Sequence, residues 1–231
     1  MTPQAPLDPY IDFSLLHATA RLPDGWRNAH YEWLATCDRP ERYEHILSID
    51  ADQWDQRPQY LLTVCNDGRP CAVDAWNEAA RHARGRVLIV VSDDLCPCDH
   101  WDTKLLDVFL NKNVPMGLEY VIEVSNGPYC PQIITHPILT RAYYLRLGRG
   151  GHPHGELFYP GYLSVGSDDD FTLVARRDGV VIDARHLSFP HPHYRTGEAD
   201  VDEVYRWTNR NEAWDRKAEV LPRRIKENFA R

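Results

Sequence analysis

The apolar positions of this chain change period along its length, and the changes mark its elements. From 87 to 91 the sequence runs Val-Leu-Ile-Val-Val without a polar break. Such a run suits a central strand covered on both faces, predicted over 86–92. Shorter apolar stretches predict further strands over 11–17, 45–49 and 60–65. Between them the period lengthens to that of a helix. Ala29, Trp33 and Leu34 predict a helix over 28–36. Val73, Trp76, Ala79, Ala80 and Ala83 form an amphipathic stripe over 73–84, stopped by Gly85. Trp101, Leu105, Leu106 and Phe109 do the same over 101–110, with Asp99 as the expected N-cap. Alternating strands and helices predict a doubly wound α/β fold: a mostly parallel central sheet flanked by helices, its crevice at the carboxyl ends of the strands.

Beyond 110 the pattern loosens. Strands are expected over 118–124, 132–135 and 180–184, and a helix over 137–147 stopped by Gly148. The stretch 148–155 is rich in glycine and histidine, a composition that suits a lid over a site. The stretch 199–229 reads as helical. No repeat or linker divides the chain, so 1–231 is expected to form one domain. Its first part, about 10–110, would bind the ligand; about 111–195 would form the opposite wall; about 198–231 would close the chain as helix.

Composition narrows the classes. Of 231 residues, 43% are hydrophobic and 26% charged, which excludes disorder as a reading of the whole chain. The net charge of −8 argues against a protein built to grip nucleic-acid phosphates. The basic stretch 214–231 reads as a solvated helix face. No segment reaches the roughly 18 apolar residues of a membrane helix. With no leader pattern at the start, the six cysteines are expected as reduced thiols in a cytoplasmic protein. Cys96-Pro97-Cys98 lacks the spacing of a zinc site.

Ser92-Asp93-Asp94 leaves the carboxyl end of the central strand. Adjacent carboxylates there call for a positive partner, and a hard divalent cation is the natural one. A second acidic cluster, Asp168, Asp169 and Asp170 after Ser167, opens an expected helix; three aspartates exceed what one cap requires, and one of them could act as a general base. His191 and His193 are candidate metal or phosphate contacts. Thr19, Ala20 and Arg21 end the first strand, Asp50 and Asp52 the second, Asn66 the third, and each could meet a bound nucleotide.

This order of elements and residues resembles the GT-A glycosyltransferases, especially family 2-like bacterial and phage members, over roughly 13–194. His17-Ala18-Thr19-Ala20-Arg21 resembles the nucleotide-contacting opening of that family. Asp50 stands where the family's base-contacting Asp ends the second strand. Asn77, in Ala75-Trp76-Asn77-Glu78, stands on the helix that lines the donor pocket. Ser92-Asp93-Asp94 falls on the Asp-x-Asp motif, with Ser92 in place of its first Asp. The resemblance implies Asp94 as metal ligand and Asp93 as a donor contact. Gly166 to Phe171 resembles the Glu-Asp-x-Asp-Leu segment, which implies a base at Asp168, with Asp169 and Asp170 as the other candidates in the triple Asp. His191 or His193 matches the family's late metal-assisting histidine. The implied reaction is inverting transfer of a sugar from a nucleotide-diphosphate sugar, a UDP-sugar foremost, with Mn2+ or Mg2+. The acceptor stays open among a glycan, a lipid-linked glycan, a protein and a modified nucleobase. A nucleotidyltransferase and a non-catalytic nucleotide- or sugar-binding module are the alternatives.

Overall fold

The computed structural model describes residues 5–22, 24–149 and 156–229. Seven strands form one sheet in the order β3-β2-β1-β4-β6-β5-β7. They are β1 (Phe13–Ala18), β2 (Tyr43–Asp50), β3 (Leu62–Asn66), β4 (Val87–Val91), β5 (Val121–Ser125), β6 (Ile138–Thr140) and β7 (Val181–Ser188). The first four run parallel to one another, and β5 runs parallel to β7. Only β6 is reversed, pairing antiparallel with β4 and β5. The helices are α1 (Gly25–Ala35), α2 (Ala72–His82), α3 (Trp101–Asn111), α4 (Arg141–Arg149), α5 (Ser167–Arg177), α6 (Glu203–Thr208) and α7 (Asn211–Lys226).

The unbroken apolar run of β4 has the expected cause. Leu88 and Val90 face one core, with α2 residues Val73, Ala79 and Ala80 and α5 residues Phe171 and Val174. Val87, Ile89 and Val91 face the other, with α1 residues Ala29 and Trp33 and α3 residues Trp101 and Leu105. A strand between two helical layers has no solvent face and needs no polar alternation.

Four expectations differ from what is observed. The stretch 132–135 is irregular, and the strand lies at Ile138–Thr140, inside the expected helix, which starts only at Arg141. Ile-Leu-Thr suits either state; two flanking strands offering ladder hydrogen bonds decide it. β7 runs four residues past its expected end, because a sheet edge tolerates the outward-facing Asp183, Arg185, His186 and Ser188. The expected C-terminal helix is two helices, broken at Asn209 and Arg210. The residue before α3 is His100, at φ 58°, and no side chain caps that helix. Within the lid candidate, residues 150–155, with His152 and His154, lie outside the described residues.

α7 is fixed to α5 by a buried ion pair. Arg224 Nε donates to Asp170 Oδ2 at 2.9 Å and both side chains are almost fully buried, while the Tyr162 hydroxyl donates to the same carboxylate at 3.2 Å. Deleting one member strands the other charge without solvent. Arg224→Met is expected to lower unfolding free energy by about 3–5 kcal/mol. The double variant Asp170→Leu/Arg224→Met should recover most of that loss, measured by urea denaturation.

Candidate active site

The parallel strands deliver polar residues to one edge of the sheet. Asp50 at the end of β2 lies beside Asn66 at the end of β3 in register. The Asn66 amide donates to Asp50 Oδ1 at 2.7 Å and to the Arg69 carbonyl at 2.8 Å, and accepts from the Gly68 N–H. Burial pushes the Asp50 carboxyl above its ordinary value. Next to Asn66, a cavity of about 320 Å3 opens against α2, bordered by Arg69, Asp74, Glu78 and Glu156. Asp52 is exposed on the short turn after β2, and the Ala20 carbonyl accepts from Gln53 on that turn. Asn77 is buried and reads the Phe158 peptide on both sides: it donates to the carbonyl and accepts from the N–H, each at 2.9 Å. Its observed part is to hold the 156–160 stretch against α2.

At the end of β4 the two adjacent aspartates diverge. Asp93 turns inward: its Oδ1 meets His17 Nε2 at 2.9 Å, and its Oδ2 accepts from Thr19 Oγ1 at 2.9 Å and Arg21 Nη1 at 3.2 Å. The far edge of the Arg21 guanidinium is held by Asp202, at 2.7 Å from Nη2 and 3.0 Å from Nε. Asp94 turns outward: its Oδ1 meets His191 Nε2 at 3.1 Å and accepts from Ser92 Oγ at 2.7 Å. Burial works against charge on Asp94, yet the hydrogen bond and charge of His191, with Ser92, hold its carboxyl well below the usual carboxylate range. Among the described residues nothing hydrogen-bonds its Oδ2.

His136 completes this corner. It is buried, its Nε2 lies 2.9 Å from Ser92 Oγ, and its ring stands edge-on to His191 at 4.5 Å. Since Ser92 spends its one proton on Asp94, the imidazole is the donor to Ser92. Burial lowers the His136 ring to about 3, so it is neutral at physiological pH. Trp76 packs edge-on to His136 and donates its indole N–H to the Val91 carbonyl at 2.9 Å, bracing the strand end that carries the aspartates. His193 lies apart from the Asp94 carboxylate contacts: it stacks on Tyr129 at 3.7 Å, and its Nδ1 accepts from the Arg195 N–H.

The three aspartates at the start of α5 have three environments. Asp170 is the buried partner of Arg224, and Asp169 pairs with Lys217 Nζ at 2.6 Å. Among the described residues no Lys or Arg lies at bonding distance from Asp168; its Oδ1 accepts the Asp169 N–H at 3.0 Å. Burial, reinforced by the charge of Asp169, pushes its carboxyl up to about 6. α5 is joined to the strand end by a short route: the Ile134 N–H donates to Thr172 Oγ1 at 2.9 Å, and His136 lies two residues on.

A divalent cation of the Mg2+ or Mn2+ kind takes oxygen and imidazole ligands and draws the rest of its shell from water and substrate oxygens. Asp94, with Oδ2 open, and His191 fit the protein's share of such a shell. Among the described residues no group of three or more His, Cys, Asp or Glu could hold an ion unaided.

No protein-family model and no curated protein matches the sequence. Solved structures do match. S. aureus TarS aligns over 96% of this chain and 44% of its own, at 15% identity and TM-score 0.58. The mannosyltransferase PcManGT from Pyrobaculum calidifontis, in complex with GDP-Man and Mn2+, aligns over 98% and 66%, at 15% identity and TM-score 0.57. The fold is that of the GT-A glycosyltransferases. A Drosophila β1,4-galactosyltransferase 7 mutant with manganese, UDP-Gal and xylobiose shares it at TM-score 0.51 and 14% identity, over 87% of this chain and 80% of its own. The chain spans less than half the TarS chain. In this GT-A frame the residues that sequence reasoning missed are His136, Asp202 and the buried histidines His45 and His30. None stands in a motif, and only the folded chain gathers them on the side of Asp93 and Asp94.

Asp168 gives a stability test. Its folded-state value lies above the ordinary 3.8, so folding favours the protonated form. That contribution is full below pH about 4 and is lost as pH rises through about 6. Asp168→Asn should therefore match wild type near pH 4 and exceed it by about 1–3 kcal/mol above pH 7. Urea melts across this range check the expected divergence.

Proposed function

We propose that this chain is a metal-dependent, inverting glycosyltransferase that moves a sugar from a nucleotide-diphosphate sugar to an acceptor hydroxyl. The observation that carries the reading is the pairing of outward-facing Asp94 with His191 at the end of β4, in a GT-A fold whose α5 opens on the proton-avid Asp168. The solved structures of similar fold support the donor class, with UDP-GlcNAc bound in TarS 1–349 and GDP-Man in PcManGT. A UDP-sugar is the first donor to try. The acceptor is a glycan, a lipid-linked glycan, a protein or a modified nucleobase.

Asp94 and His191 would hold Mn2+ or Mg2+ together with the donor's diphosphate; the ion would supply positive charge against the leaving group. The rest falls to the chain's own residues. Thr19, Arg21 and Asp93 stand at the nucleotide side with Asp50 and Asn66. Arg21 is the cation there, suited to a phosphate oxygen. Asp168 takes the proton of the acceptor hydroxyl as its oxygen bonds to the anomeric carbon and the carbon–phosphate-oxygen bond breaks. A carboxyl near 6 is ionised at neutral pH yet basic enough for that transfer. Displacement from the opposite face inverts the anomeric centre. On this reading the 10–110 part binds the donor, 111–195 supplies the acceptor wall and the base, and 198–231 closes over them. No helix among the described residues is long and apolar enough to cross a membrane, and the proposed setting is the cytoplasm.

Asp94→Ala is expected to abolish both transfer and the Mn2+-dependent part of nucleotide binding. Asp168→Asn should cut turnover by about 100-fold or more and leave nucleotide binding intact. Donor turnover by chromatography and nucleotide binding by calorimetry read the two effects separately. Full activity in both variants would overturn the assignment of roles. Absence of both transfer and donor hydrolysis in wild type, with nucleotide still bound, would favour the non-catalytic module.

A further inference from the structure

Behind Asp93 lies a file of three histidines that the proposed chemistry does not use. His17 is on β1, His45 on β2 and His30 on α1, all with under a tenth of their surface exposed. His17 Nδ1 lies 2.9 Å from His45 Nε2, and His45 Nδ1 lies 3.0 Å from His30 Nδ1. With His17 Nε2 at 2.9 Å from Asp93 Oδ1, the line is continuous from helix to carboxylate.

Each gap holds one proton, and the carboxylate end decides its owner. Asp93 Oδ1 accepts, so His17 carries its proton on Nε2. If the His17 ring is neutral, it accepts at Nδ1, so His45 donates from Nε2. His45 in turn accepts at Nδ1, so His30 donates from Nδ1. Burial lowers both His45, far below its ordinary value, and His30, which fits neutral rings at these two positions. In that state every hydrogen bond in the file points toward Asp93.

We propose that His17, His45 and His30 are positioning residues for Arg21, acting through Asp93. The file occupies Oδ1 and fixes the carboxylate plane. Oδ2 is then left for Thr19 and Arg21, and the guanidinium is fixed between Asp93 on one side and Asp202 on the other; on the donor reading this is the edge where the diphosphate would lie. This extends the donor reading and rests on it for the anion that Arg21 meets.

The test joins an NMR signature to binding. In full-length protein at neutral pH, nitrogen-15 spectra of the imidazoles should show His17 and His45 protonated on Nε2 alone and His30 on Nδ1 alone. His45→Phe removes the donor to His17; its Kd for UDP with Mn2+ should rise about tenfold, while the Asp93 carboxylate keeps the His17 proton on Nε2. His45→Gln restores an N–H at the level of Nε2 and should return Kd to within about threefold of wild type. A His45 protonated on Nδ1 in wild type overturns the proposal, and this needs no variant to fold. Unchanged affinity in His45→Phe overturns it as well. If the tautomers are as expected but wild type binds neither UDP nor GDP, the donor reading fails, and with it the positioning role, while the file stands as architecture.

Discussion

Two adjacent carboxylates leave the end of a strand that is buried on both faces, and they cannot share one environment. The turn that follows β4, closed by the Leu95 N–H on the Ser92 carbonyl, sends Asp93 and Asp94 to opposite sides, and each meets a different answer to its charge. Asp93 goes inward to an imidazole, a hydroxyl and a guanidinium. Asp94 goes outward to His191 and Ser92. The division makes one aspartate part of the framework and leaves the other with an open oxygen. Ser92, which the sequence resemblance sets on the first acid of an Asp-x-Asp motif, fits the same logic. A third carboxylate would compete for His191, whereas a hydroxyl backed by neutral His136 orients Asp94 and adds no charge.

The same economy of charge shapes the start of α5. Of three consecutive aspartates, Asp169 and Asp170 are paired with Lys217 and Arg224 from α7. Asp168 is left with a backbone N–H, a like-charged neighbour and a desolvated position. Pairing two and leaving one distinguishes residues that sequence alone treats as equivalent. It also explains the presence of α7: its buried arginine anchors the helix that presents Asp168. Gly166 just before α5 adopts φ 92°, and a Cβ there would press on Lys217, so the helix start and the α7 contact constrain each other.

The sequence carried the first half of the fold well, since β4, α2 and α3 owe their state to local periodicity. β6 was illegible because three residues suit either state until two strands flank them. β7 outran its apolar core because an edge strand pairs with polar residues facing out. At the site, the acidic clusters announced themselves by composition and by place along the chain. His136, His45, His30 and Asp202 did not. Each is a single polar residue whose partner lies between 15 and 181 positions away, a distance that no spacing rule spans.

A crystal structure of the full chain with Mn2+ and UDP would test the division between the two aspartates most directly. The expected result is an ion bound by Asp94 and His191 and bridged to the diphosphate, with Asp93 still bonded to His17 and Arg21. A nucleotide bound with no ion at Asp94, or an Asp93 swung out to ligate the ion in its place, would contradict it.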